Sequence, residues 1–228
     1  MVNEVFWEEV LNITLLSLRV SGISVLMGAL IGIPVGAILG LKQFKGKHAL
    51  MRFMDIALRS AINTFMGLPP VVVGLLVYLL LTASGPFGWL GLLYTPIAMI
   101  ITQLIEVVPI IVGLTMSAVA NVEKPIRERA LSLGASETQA VWLILREARM
   151  GVLTSIITAF GAAISEVGGI IITGGNIRWW TRTLTTAIVV ETELGNFTMA
   201  LTLGAILLSI AFIINLALTM IQLKGERR

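Results

Sequence analysis

From Ser60 to Ile105 the chain runs for 46 residues without a charged side chain. A helix needs about 20 apolar residues to cross a bilayer, so this run is too long for one crossing and supplies parts of two. Ser84-Gly85-Pro86-Phe87-Gly88-Trp89 is the natural turn between them, and Trp89 and Tyr94 are expected at the outer interface. The whole composition agrees. Charged residues make up 13% of the chain and hydrophobic residues 57%, with a mean hydropathy of +0.95. A soluble domain carries about 25% charged residues. The fold class expected is therefore an all-α integral membrane protein.

Other apolar runs complete the set. A first span is expected over Ile13–Leu41, with Val20–Leu41 free of charge, and spans 2 and 3 over Ala61–Ala83 and Leu92–Val119. Spans 4 and 5 are expected over Met150–Thr173 and Phe197–Leu223, giving about five transmembrane helices in a single domain, 1–228. In span 1, Gly28, Gly32, Gly36 and Gly40 stand four apart, forming a stripe that another helix can approach closely, and Pro34 should kink the helix. Lys42, Lys45, Lys47, His48, Arg52 and Arg59 follow, opposed only by Asp55. With this loop inside, 13 of the 16 Lys and Arg residues fall on the cytoplasmic side of an N-out, C-in arrangement. The net charge of +3 is thereby assigned to topology and not to nucleic acid. Glu4, Glu8 and Glu9 stand where a cleavable signal would carry basic residues, so span 1 is expected to stay in the mature protein.

Several residues break the rules of an apolar span. Gly67, Pro69 and Pro70 interrupt span 2, and such breaks survive in a membrane only against protein or a water-filled cavity. They read either as a pathway lining or gate, or as a structural kink. Glu106 in span 3 must face the bundle, pair or be protonated. Glu166 lies beside the four-spaced Gly161, Ser165 and Gly169, where a hydrogen-bonding hub and a gate are both open readings. Thr173 and Asn176 close span 4. Arg178, Arg182, Thr183 and Thr185 then form an outer group that suits either an oxyanion or partner protein, or an aromatic belt with snorkelling arginines. Thr183 to Val190 is too short to cross and reads as a re-entrant or interfacial helix.

A polar segment, 121–147, separates spans 3 and 4 and must lie outside the membrane. Pro125 suits the first position of a helix, Ile126, Ala130 and Leu133 share one face, and Gly134 can adopt the left-handed conformation that ends it. Ser136 with Gln139 completes a capping box for the next helix. By itself this is a docking element or an ordinary charged loop. Its spacing, Glu128, Ala130, Gly134 and Ile144, resembles the EAA loop of ABC importer permeases, although Arg129 replaces the usual second Ala and Arg146-Glu147 the usual Leu-Pro.

The Gly67-Leu68-Pro69-Pro70-Val71-Val72-Val73-Gly74 run, Arg146-Glu147-Ala148-Arg149 in place of the usual Leu-Pro, and Gly174-Gly175-Asn176-Ile177 followed by Thr181 to Ile188 are most similar to tungstate-type permeases, while molybdate and sulfate permeases share a looser version of the last segment and are the alternative, with another small solute. That resemblance implies a type I importer permease fold in the cytoplasmic membrane. It implies that Glu128, Arg129, Ala130, Leu133, Gly134, Ala135 and Ser136 couple the chain to an ABC ATPase present in two copies. An extracytoplasmic binding protein and a second permease copy, in a homodimer, are the other partners implied besides membrane lipid. No catalytic residue, metal site or cofactor is expected on this chain: there is no cysteine, one histidine and no G-x-x-x-x-G-K-[ST] motif. ATP and Mg²⁺ would belong to the ATPase. Two other classes fit the hydropathy: a carrier coupled to ions through Glu106 and Glu166, and a non-transport scaffold.

Overall fold

A computed structural model describes residues 2–41 and 49–226, and among these there is no strand. The elements are α1 (Val2–Leu41), α2 (Ala49–Met66), α3 (Pro70–Leu81), a 3-10 turn at Gly88–Leu90, α4 (Pro96–Ser132) and α5 (Glu137–Glu147). Then come α6 (Arg149–Ser165), α7 (Gly168–Gly174), α8 (Leu184–Glu193) and α9 (Phe197–Glu226). The basic residues from Lys42 to His48, and Arg227 and Arg228, lie outside the described residues. Among the described residues, stretches of α1, α4 and α9 are each long and apolar enough to cross a bilayer; the bent pairs α2/α3 and α5/α6 raise the number to as many as five.

The chain packs as two compact units. One comprises Met1–Leu26, Leu68–Glu106 and Phe160–Arg228; the other comprises Met27–Gly67 and Val107–Ala159.

In the second unit α4 is the hub. A Cβ on Gly36 of α1 would lie 2.6 Å from the Val112 carbonyl oxygen, and one on Gly32 or Gly40 would press into Ile111 or Val119. The four-residue glycine spacing thus brings α1 against the backbone of α4. Gly113 of α4 receives Met66 and Ile62 from α2, Gly151 of α6 sits on Ala118, and the buried Thr115 and Ser155 hydroxyls meet at 3.1 Å. Pro109 and Pro125 lie inside α4, which runs through both. The expected fresh start at Pro125 is therefore corrected. Its missing N–H frees only the carbonyl of Asn121, an exposed position where water can bond it, while packing holds the helix on several sides.

In the first unit α3 packs on α7 and α8 on α9. Val10 and Ile13 of α1 join Leu184, Ala187, Met199 and Leu203 in one core cluster. Gln103 of α4 donates from Nε2 to the Ala163 carbonyl at 2.7 Å, and Thr102 donates to the Thr173 hydroxyl at 3.0 Å. Span 4, expected as one helix through Thr173, is instead broken after Ser165. The carboxylate of Glu166 accepts the amide protons of Gly169 at 2.6 Å and Ile170 at 3.1 Å, and so serves the free N–H groups that open α7. Gly161, Ser165 and Gly169 consequently do not form one stripe: nothing approaches within 4 Å of a Cβ on Gly161, whereas Gly169 is closely packed.

Candidate functional site

The turn between α4 and α5 is built by two reciprocal devices. Gly134, at φ +86°, donates to the Leu131 carbonyl at 3.0 Å, and Ala135 donates to the Ala130 carbonyl at 3.0 Å. These are the paired bonds of a Schellman motif, which satisfy the last carbonyls of α4. Ser136 accepts from the Gln139 amide while its own amide donates to Gln139 Oε1 at 2.8 Å, closing the capping box at the start of α5. Arg127 then ties the two helices, donating to Glu123 at 3.1 Å and to Glu137 at 2.7 Å.

Beneath the turn, Val119, Ile144 and Ala148 form a buried cluster with Val122 and Ile126 against it. Ala130 is also buried, while Glu128, Arg129, Gly134 and Ser136 are exposed and Ala135 half-buried. Leu133, expected on the same face as Ile126 and Ala130, is instead 87% exposed; it stands just past the end of α4, its amide still donating to the Arg129 and Ala130 carbonyls at 3.2 Å, and the chain turns away at Gly134. The result is a rigid knuckle with a protruding leucine.

The residues read as pathway candidates separate into different roles. Pro69 precedes α3 and Pro70 opens it, so the two prolines begin a helix where neither missing N–H is needed. Gly67 is exposed. Glu166 is buried and occupied as the cap of α7. Glu106 points toward the same place: its Oε1 would lie 3.0 Å from a Cβ on Gly169, and this oxygen is buried without a hydrogen-bond partner. Thr173 is buried and bonded to Thr102 and to the Gly169 carbonyl. Asn176 takes a left-handed turn at φ +47°.

The outer group differs from expectation. Thr183 and Thr185 are buried, Thr183 in the cap of α8 and Thr185 donating to the Glu166 carbonyl at 2.7 Å, so neither hydroxyl offers itself at the surface. Both arginines are already paired. Glu9 of α1 accepts from Arg178 at 2.8 and 2.6 Å, and Arg182 donates to Glu191 of α8 at 3.0 Å and lies 3.5 Å from Glu9. Hydrogen bonding to Glu9, reinforced by its charge, holds the Arg178 guanidinium above its ordinary range. Asn196 donates to the second oxygen of Glu191 at 2.8 Å. These five residues, with Val5, Phe6, Leu194 and Met199, line a cavity of about 710 Å³. Glu191 and Asn196 were not singled out from sequence, and Glu9 only as one of the acidic residues near the N-terminus, not as a partner for these arginines. Two unpaired arginines on an outer face are the signal that asks for such carboxylates.

Residues 32–224 match the family described as binding-protein-dependent transport system inner membrane component. The chain belongs to that family. As a member it is a non-catalytic, multi-pass inner-membrane permease. It is 43% identical over 209 residues to a "probable anion ABC transporter permease protein" of Haloferax volcanii, covering 90% of this chain and 87% of that one. It is 37% identical over 217 residues to the "tungstate uptake system permease protein TupB" of Peptoclostridium acidaminophilum, covering 95% and 92%. The permease fold itself is that of a chain in inward-facing structures of the MetNI methionine ABC transporter, with a TM-score of 0.75 at 18% identity over 97% of this chain and 98% of that chain.

Proposed function

We propose that this permease is the membrane subunit of an ATP-driven importer of tungstate, fed by an extracytoplasmic binding protein. The observation that carries the coupling is the exposed knuckle at Leu133-Gly134, built on a buried seat and fixed by caps at both helix ends. A protruding apolar residue on a rigid turn suits insertion into a groove of another subunit. Two copies of the permease, with an ATPase subunit under each knuckle, would rock between inward-facing and outward-facing states as ATP and Mg²⁺ bind and leave on the ATPases. The Glu9 to Arg178 pair brings the start of α1 and the 178–182 loop to the same side, as the N-out arrangement drawn from the Lys and Arg distribution requires. The tungstate assignment is supported by the relative of that name. Against an ion-coupled carrier stands the engagement of Glu166 by two amides, which leaves Glu106 as its remaining intramembrane carboxylate.

The test is twofold. The permease purified from its native membrane should retain an ATPase subunit, and Leu133→Asp, which alters an exposed residue, should release it without loss of folded permease. Retention by that variant would sink the coupling assignment. In vesicles carrying the assembled transporter, unlabelled tungstate should suppress labelled tungstate uptake at concentrations where molybdate and sulfate do not; the opposite order would reassign the anion.

A further inference from the structure

Opposite the buried seat, α5 carries a face that the knuckle does not use. Ala140, Ile144 and Ala148 point inward. At about 100° per residue, Trp142, Leu145 and Arg146 of α5 fall on the other side, and Arg149 follows three residues after Arg146 at the start of α6. All four are exposed, Trp142 by 62%. The Arg146 guanidinium carbon stands 5.4 Å from the centre of the Trp142 ring, and neither Arg146 nor Arg149 forms an ion pair with a described residue. Glu147, the nearest acid in sequence, falls on the far side of the helix by the same rotation. Arg146 is also one of the two positions at which the chain departs from the Leu-Pro usual in the family.

The face leads into a helix that is a candidate for crossing the membrane. Arg149 is the first residue of the apolar α6, and α5 leaves α6 at a bend of 47°. A short helix at the mouth of a span, presenting an indole and a leucine beside two unpaired cations, has the composition of an interfacial helix. The complementary surface is anionic. We propose that Trp142, Leu145, Arg146 and Arg149 bind an anionic phospholipid of the cytoplasmic leaflet, its phosphate between the two guanidiniums and the indole at headgroup depth. The proposal rests on the cytoplasmic placement of 121–147 in the function above, but it does not depend on the ATPase. Its consequence for transport is that lipid would hold α5, and with it the knuckle, at a fixed inclination to the bilayer.

The experiment uses the full chain in phosphatidylcholine vesicles, with and without its ATPase. Subtracting the emission of Trp142→Phe from that of the wild type isolates Trp142 from the other four tryptophans. Brominated phosphatidylglycerol is expected to reach half-quenching of that component at about fivefold lower mole fraction than matched brominated phosphatidylcholine, the preference of roughly one arginine for an anionic surface. Arg146→Gln with Arg149→Gln should abolish the preference while leaving helicity unchanged. Equal quenching by the two lipids, or a preference that survives the double substitution, overturns the proposal. So does a Trp142 component that neither lipid quenches but that addition of the ATPase shields from aqueous iodide, since the face would then belong to a protein interface. A lipid preference that persists in Leu133→Asp, with the ATPase gone, would separate this site from the coupling reading.

Discussion

A Cβ placed on Gly74 would lie 2.5 Å from the Cα of Gly169 and 2.8 Å from its carbonyl oxygen, so α3 and α7 meet backbone to backbone. Neither side has a flexible side chain that can yield. Gly74→Ala is therefore expected to cost about 1–3 kcal/mol through overpacking. Gly161→Ala, in open space, should be nearly neutral or slightly favourable. Thermal melting of the two variants in one detergent checks the contrast, and equal melting temperatures would contradict the close approach.

Glu166 acts here as a cap. Gln at this position keeps one acceptor but sets an NH₂ group against the second amide, so Glu166→Gln should lower stability by about 1–2 kcal/mol, and Ala by at least as much. Melting of the purified permease reads the loss. If Glu166→Gln melts like the wild type yet transport fails, the carboxylate has a transport role that capping does not account for.

Arg182 and Arg178 share Glu9 but sit in different surroundings. The Arg182 side chain is 14% exposed and bridges two carboxylates that are themselves buried, whereas the Arg178 side chain is 54% exposed. Arg182→Gln should cost about 3 kcal/mol, because Glu191 is left with only Asn196. Arg178→Gln, screened by solvent, should cost about 1 kcal/mol or less. A denaturation series that ranks the two the other way round would show that the shared carboxylate depends on Arg178.

At Gly134 the constraint is conformational. Nothing lies within 4 Å of a Cβ there, but φ is +86°. A β-branched residue is disfavoured in that region by about 1–2 kcal/mol, and Asn tolerates it. Gly134→Val is expected to loosen the knuckle and impair ATP-driven uptake, while Gly134→Asn retains most of it. Equal loss in both would mean that the groove needs the absent side chain and not the turn.

Much of this protein was legible locally. The charge-free run from Ser60 to Ile105, the glycine spacing in α1, the left-handed Gly134 and the Ser136/Gln139 capping box all appear where the sequence places them, because each depends on one residue's conformational range or on neighbours within a turn. The EAA-like spacing and the Gly-Leu-Pro-Pro run pointed to the family for the same reason. What tertiary structure alone decided involves partners distant in sequence. Pro125 continues α4 because packing outweighs one lost hydrogen bond. Glu166 turns back onto α7 and breaks a run of residues that reads as one span. Arg178 and Arg182 find Glu9 some 169 and 173 residues away, so both arginines of the outer group are paired with a carboxylate of the same chain. Hydropathy and turn chemistry set which segments enter the membrane and where they stop; the pairing of buried charges is a long-range electrostatic choice, made only once the helices stand side by side.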